Sequence, residues 1–198
     1  VSQPTDLVRA HVRGYFADAG IETEPVSATV TFLGLDRIDV LRFGPGLDGV
    51  AHYVTLGCSR HPMAEPTAGV ADPLRGPRAE IVMSLRASTP TPGLARSLAV
   101  VAATPVVEGV VLVADALIDL STPLWDSAAF TAVLLGDSGI ADLPLAAPRE
   151  PVRFLAAVPI TPTEAAWVRL KGAEAMRQAW VDDGVDVLDP NRRAARPG

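Results

Sequence analysis

The chain has a single cysteine, Cys58, and a single lysine, Lys171, among 198 residues. One thiol excludes an internal disulfide and any zinc site built from several cysteines, and nothing else asks for an oxidising compartment. Positive charge is also short: 17 Lys and Arg face 23 Asp and Glu, for a formal charge of −6. No surplus of cations exists to displace counterions from phosphates, which argues against a nucleic-acid partner. The preference for arginine over lysine reads as codon bias. Long apolar runs are missing too. The stretch Leu98 to Ile118 is interrupted by Pro105, Glu108, Gly109 and Asp115, and its longest unbroken run is Leu98 to Ala103. A membrane span needs about 20 continuous apolar residues. Val1 to Gly20 is charged and amphipathic, unlike a signal peptide. The expectation is a soluble, cytoplasmic protein with no membrane association.

Apolar residues make up 48% of the chain, and its 16 glycines and 18 prolines punctuate it without reaching low-complexity levels. One globular domain over 1–198 is expected. Thr5 or Ser2 caps an opening helix with the stripe Val8, Val12, Tyr15 and Ala19, closed by Gly20. Strand patterns follow at Thr29–Phe32, Ile38–Phe43 and Ala51–Leu56. After a loop from Pro62 to Pro77, the run Ala79–Arg86 alternates, with Ile81, Met83 and Leu85 on one face and Glu80, Ser84 and Arg86 on the other. Thr91-Pro92 opens an apolar helix that Pro105 ends. Further strand patterns cover Val110–Leu117, Phe130–Leu135 and Val152–Val158. Thr161 and Glu164 have capping-box spacing, and the helix they open carries the stripe Ala166, Leu170, Ala173, Met176 and Trp180. Elements in this order do not alternate strictly, so the predicted class is α+β, with a mixed or antiparallel sheet and helices packed on it.

Catalytic templates find little purchase. Gly44-Pro45-Gly46-Leu47-Asp48-Gly49 matches G-x-G-x-x-G, but a strand follows where a dinucleotide fold needs a helix N-terminus, so a hairpin loop is the better reading. Cys58, His52 and His61 form the one candidate cluster for a thiol hydrolase or a metal enzyme, set against a plain reading as a buried thiol and two ordinary histidines. Asp182, Asp183 and Asp186 read as a solvated helix end, and Arg192, Arg193 and Arg196 as a frayed tail. Trp167 and Trp180 read as core, while Trp125 is a candidate interface anchor. No cofactor and no catalytic residue is expected.

Tyr53-Val54-Thr55-Leu56-Gly57-Cys58-Ser59 resembles the Y-V-[ST]-x-G-x-S strand and turn of suppressor of fused proteins. Glu80 in its alternating strand, Gly93-Leu94-Ala95-Arg96, Val133-Leu134-Leu135 before Asp137, Val152-Arg153-Phe154-Leu155, the Thr161 and Glu164 segment, and Asp189 with Arg192-Arg193 follow in the family's order, over about 25–193. The resemblance implies a mixed α/β fold and a non-enzymatic, protein-binding role. It covers only the first lobe of the animal members, which clamp a transcription-factor peptide as an added strand between two lobes. Single-lobe relatives are bacterial, and many look like immunity proteins that neutralise a toxin. The arginine bias suits a GC-rich bacterium, and an acidic chain gains on-rate toward a cationic toxin. The partner-binding residues expected under this resemblance are Tyr53, Thr55, Ser59 and Glu80, with an arginine ion pair as the plain alternative for Glu80. The sequence leaves the oligomeric state open.

Overall fold

The structure, a computed structural model, describes residues 3–65 and 67–196. Its elements are α1 (Pro4–Asp18), β1 (Val26–Val30), β2 (Ile38–Phe43), β3 (Val50–Leu56), a 3-10 turn (Cys58–Arg60), β4 (Arg78–Arg86), α2 (Leu94–Glu108), β5 (Leu117–Asp119), β6 (Ala132–Asp137), β7 (Val152–Ile160), α3 (Pro162–Lys171) and α4 (Ala173–Asp182). All seven strands join one sheet in the order β1-β2-β3-β4-β7-β6-β5. Every neighbouring pair is antiparallel except the central one, where β4 runs parallel to β7 with Glu80 level with Phe154. This is the α+β mixed sheet expected from the sequence.

Both faces of the sheet are covered, which is why β4 is buried almost end to end and not on alternate residues. Ile81, Met83 and Leu85 join Val133, Leu135, Leu155 and α2 in one core. On the opposite face Val82, Val54 and Phe154 pack under Val8, Val12 and Phe16 of α1, and Leu134 and Ile160 pack under α3 and α4. The buried stripe of α1 thus ends on Phe16, while Tyr15 is 39% exposed. Gln3 occupies the N-cap position without a side-chain bond, and Thr5 lies inside the helix; Ser2 lies outside the described residues. Gly20 follows the helix with φ +89°, as its sequence position suggests.

Several boundaries differ from the periodicity. The first strand is Val26–Val30, earlier than Thr29–Phe32. Helix α2 begins at Leu94 and runs through Pro105 to Glu108. Proline in that turn supplies no N–H, and the Thr104 hydroxyl donates to the Val101 carbonyl at 2.7 Å, satisfying the acceptor left without its helical donor. Of the run Val110–Leu117 only Leu117 is in a strand. The expected final helix is two helices. Gly172, with φ +91° and ψ 167°, ends α3 and precedes α4, a conformation only glycine adopts readily. The break redirects the stripe: Ala165, Val168, Ala173, Met176, Ala179 and Trp180 are buried, whereas Ala166 is exposed and Leu170 is 74% exposed. The glycine-rich segment 44–49 is a hairpin connection between β2 and β3, and β3 follows it directly. Gly44 has φ +83°, and a Cβ there would stand 2.8 Å from the Gly46 nitrogen.

Candidate functional site

The end of β3 and the 3-10 turn are built around one carboxylate. Glu80 is fully buried on β4. Its Oε1 accepts the Gly57 N–H at 2.8 Å, the Ser59 N–H at 3.0 Å and the Ser59 hydroxyl at 2.7 Å. Its Oε2 accepts the Thr55 hydroxyl at 2.6 Å, and the Thr55 oxygen accepts the Ile81 N–H at 2.9 Å. Gly57 makes the turn possible: at φ +146° it leaves the strand, and a Cβ would sit 3.0 Å from Arg60 and 3.1 Å from the Arg37 carbonyl. Burial pushes the Glu80 carboxyl above its usual range, and the Thr55, Gly57 and Ser59 donors pull it back.

Two residues earlier on the same strand, Arg78 grips the turn from its acceptor side. Its guanidinium donates to the carbonyls of Ser59 and Arg60, both at 2.8 Å, and of Leu74 at 3.2 Å. Glu80 forms no ion pair among the described residues, so the arginine-pair alternative is corrected: it binds donors of the turn while Arg78 binds its carbonyls. The sequence reading missed Arg78. Its position two residues before Glu80 in a run buried on both faces is the signal that points to it.

Of the four expected partner-binding residues, Thr55, Ser59 and Glu80 are brought together with no exposed surface, and Tyr53 stands apart. Tyr53 is half-buried on the α2 side, its hydroxyl accepting from Arg42 Nε at 3.3 Å. The Gly57–Cys58 turn held by Glu80 forms one wall of a 390 Å³ cavity, with Leu35 and Ile38 from the β1–β2 connection and β2, and Ala103 and Val106 from α2.

Cys58 and His61 both line the 390 Å³ cavity, but His52 does not join them, so the expected three-residue cluster does not assemble. His52 bonds Ser84 Oγ at 2.7 Å and packs on the Phe16 ring, on the α1 side. His61 sits at the surface, 3.0 Å from Asp36. Cys58 is buried, and burial, with Glu80 nearby, pushes its thiol well above the ordinary range, away from the nucleophilic thiolate. Among the described residues no three His, Cys, Asp or Glu side chains are grouped to hold a metal.

A second concavity, 600 Å³, lies between α2 and the β5–β6 connection, lined by Arg96, Ser97, Glu108, Asp119, Leu120 and Asp126. It reaches the end of β5, an outermost strand of the sheet. Among the described residues three non-glycine residues have positive φ: Asp115 at 71° and Ser121 at 57° flank this strand, and Ser127 at 67° lies in the β5–β6 connection that lines the groove. Such conformations cost about 1–3 kcal/mol each and concentrate at functional sites. Trp125, expected as an interface anchor, is instead buried beside Phe130 at the base of this connection.

Arg192 is not part of a frayed tail, whereas Arg193 and Arg196 are exposed. Arg192 is 7% exposed, bonds both oxygens of Glu164 at 3.0 Å, and donates to the Pro159 carbonyl at 2.8 Å. The Thr161–Glu164 capping box is present as expected. Glu164 also accepts the Trp180 indole N–H at 2.7 Å and the Ala195 N–H at 3.2 Å. Asp186 pairs with Arg86, and Asp183 accepts the Arg196 N–H, so two of the three acidic residues expected as a solvated helix end tie down neighbouring segments, and Asp182 closes α4.

Comparison with known proteins agrees with this architecture. The family model for suppressor of fused protein matches residues 34–193. Among solved structures, a Neisseria gonorrhoeae homologue of suppressor of fused superposes with a TM-score of 0.67 at 17% identity, over 97% of this chain and 96% of that one. A chain of the Sufu–Fu complex gives 0.66 at 15% identity, over 96% and 91%. Drosophila Suppressor of Fused gives 0.65 at 16% identity, over 95% of this chain, which spans 50% of the Drosophila chain. A search of curated proteins finds no match. With its model matched from the β1–β2 turn to Arg193, and with its fold shared by these structures, the chain belongs to the suppressor of fused family.

Proposed function

We propose that this chain is a non-enzymatic protein-binding domain that receives an extended segment of its partner along β5, and that it serves in a bacterial cytoplasm as the immunity protein of a cationic toxin. The observation that carries the reading is the outermost strand β5, bordered by the 600 Å³ groove and flanked by two left-handed non-glycine residues, Asp115 and Ser121. An added strand gains backbone hydrogen bonds from such an edge, and neighbouring pockets select its side chains. Glu108, Asp119 and Asp126 line the groove against Arg96, while Asp119 is held by Arg169 at 2.7 Å. That balance and the net charge of −6 favour a basic segment and speed its encounter. A family relative has been solved in complex with a protein, Fu, which supports the choice of a protein over a small molecule.

In this reading Thr55, Ser59 and Glu80 act from behind the surface by holding the Gly57–Cys58 wall of the 390 Å³ cavity, and Tyr53, on β3 beside Arg42, Leu85 and Arg86, lies away from the β5 groove.

Panning a random-peptide phage library against the wild-type chain and D126R tests the reading. Basic, extended sequences enriched on wild type, lost on D126R and slowing amide exchange at 117–119 are expected. Equal enrichment on both proteins, or protection elsewhere, refutes it. For the immunity role, expression of a neighbouring gene that halts growth is the test: wild type should restore growth when co-expressed with it, and D126R should fail.

A further inference from the structure

The opposite edge of the sheet carries an inference independent of β5. Strand β1 pairs with β2 alone among the described residues, so one side of its backbone is unpaired. Four of its five residues are exposed, and Val26 is 67% exposed. Natural sheets protect such edges with lysine, proline, bulges or inward charges. Within Val26-Ser27-Ala28-Thr29-Val30 there is none of these, and no charge of any kind.

The strand is also close to a palindrome. Read antiparallel against itself about Ala28, it places Val26 opposite Val30, Ser27 opposite Thr29, and Ala28 opposite Ala28. β-Branched pairs β-branched, hydroxyl pairs hydroxyl, and the smallest side chain meets itself on the axis, which is the self-complementarity a two-fold interface requires. The faces agree. Val30 packs against the α2-side core, and Val26 and Ala28 lie on the same face by alternation. Thr29 donates its hydroxyl to the buried Asp39 at 2.6 Å, leaving its oxygen lone pairs to accept from Ser27 of a second copy. A chain of charge −6 repels itself in general, but this edge contributes nothing to the repulsion.

We propose that β1 is a self-association edge: two copies pair β1 to β1 antiparallel, centred on Ala28, and fuse their sheets into one. Five residues span only about 17 Å, and so short a ladder buries less than the roughly 800 Å² per partner of a stable interface. The dimer is therefore weak and concentration-dependent.

Sedimentation equilibrium of the full chain from about 10 µM to about 1 mM tests it, with A28K, A28E and their equimolar mixture. Wild type is expected to shift from monomer toward dimer across this range. Each charged variant is expected to lose at least about tenfold in self-affinity, because the axis sets like charges against each other. The mixture should recover association, since the axis then sets opposite charges together. Circular dichroism establishes that each variant is folded; should either fail to fold, V26E, which sets a charge against Val30, is tested alone and is expected to lose self-affinity. A wild type monomeric throughout, or variants that associate like wild type, overturns the proposal. So does a mixture that fails to recover association when both variants are folded.

Discussion

Replacing Arg192 by alanine is the sharpest probe of what holds the C-terminal third of this chain in place. Arg192 and Glu164 form an ion pair with side chains 4% and 1% exposed, bonded through both carboxylate oxygens. The guanidinium also lies 4.9 Å from the Phe130 ring and 5.6 Å from the Trp180 ring. R192A leaves the Glu164 carboxylate buried with only the Thr161 and Ala195 amides and the Trp180 indole as donors. Removing one partner of a buried pair costs about 3–5 kcal/mol, and loss of the ring contacts adds roughly 0.5–2 kcal/mol. Against a domain stability of about 5–15 kcal/mol, this is a large share. With a urea dependence of about 2.5 kcal/mol per molar, a loss of about 4 kcal/mol lowers the midpoint by roughly 1.6 M. Equilibrium denaturation followed by tryptophan fluorescence measures it directly. E164Q/R192M, which leaves no buried charge without a counter-charge and keeps a capping residue at 164, should be less damaging than R192A. A loss below about 1 kcal/mol for R192A, or a double variant worse than the single, refutes the reasoning.

The other predictions concern Glu80, Glu164, Gly44 and Cys58. E80Q turns an amide N–H₂ toward donors that now meet an oxygen, and an expected loss of about 2–3 kcal/mol appears as a drop in Tm of roughly 5–10 °C by calorimetry. For Glu164, burial opposes ionisation, but Arg192, the Thr161 amide and the Trp180 indole together hold its carboxyl below the ordinary value. A depressed folded pKa contributes stability above the unfolded value, near 4.3, that is lost as pH falls through the folded one. Urea midpoints should therefore fall with acidification below about pH 4, and this component should vanish in E164Q. G44A should lose more than about 1 kcal/mol in the same denaturation assay, since φ +83° and a 2.8 Å approach to the Gly46 nitrogen both oppose a Cβ. Cys58 should resist a thiol reagent in native buffer and react at full stoichiometry in denaturant, because burial keeps the thiol protonated and shielded.

Periodicity located β2, β3 and β4 to within a residue because their ends coincide with turn residues such as Gly44, Gly49 and Gly57. It misplaced the last helix because Ala166 and Leu170 fit a continuous stripe, and the positive φ of Gly172 that breaks it is invisible to a count of apolar spacings. Alternation failed for Glu80 for a related reason. A strand covered on both faces buries its polar positions as well, and only tertiary structure supplies the Thr55, Gly57 and Ser59 donors that make this tolerable. Arg192 was the same case in a segment whose composition resembled a tail. Its partner lies 28 residues upstream, beyond the reach of any local pattern. The capping box of Thr161 and Glu164 was legible because both halves sit within one turn.

The single parallel contact in the sheet, between β4 and β7, bears on how the chain reaches this fold. Strands β1 to β3 are joined by short connections, and each of the strand pairs β5–β6 and β6–β7 lies close in sequence, so both antiparallel halves form from chain that is already nearby. The seam between them must instead close the loop from Ala87 to Pro151, which contains α2 and two strands. Closing it costs entropy before any seam contact repays it, so this pairing belongs to the slow, late side of the folding barrier. Substitutions along the seam, such as at Ile81 or Leu155, should then chiefly accelerate unfolding and leave refolding rates nearly unchanged. Cutting the chain between β4 and α2 would put the two sides of this seam on separate fragments, and such fragments are expected to recombine across β4 and β7 into the intact sheet.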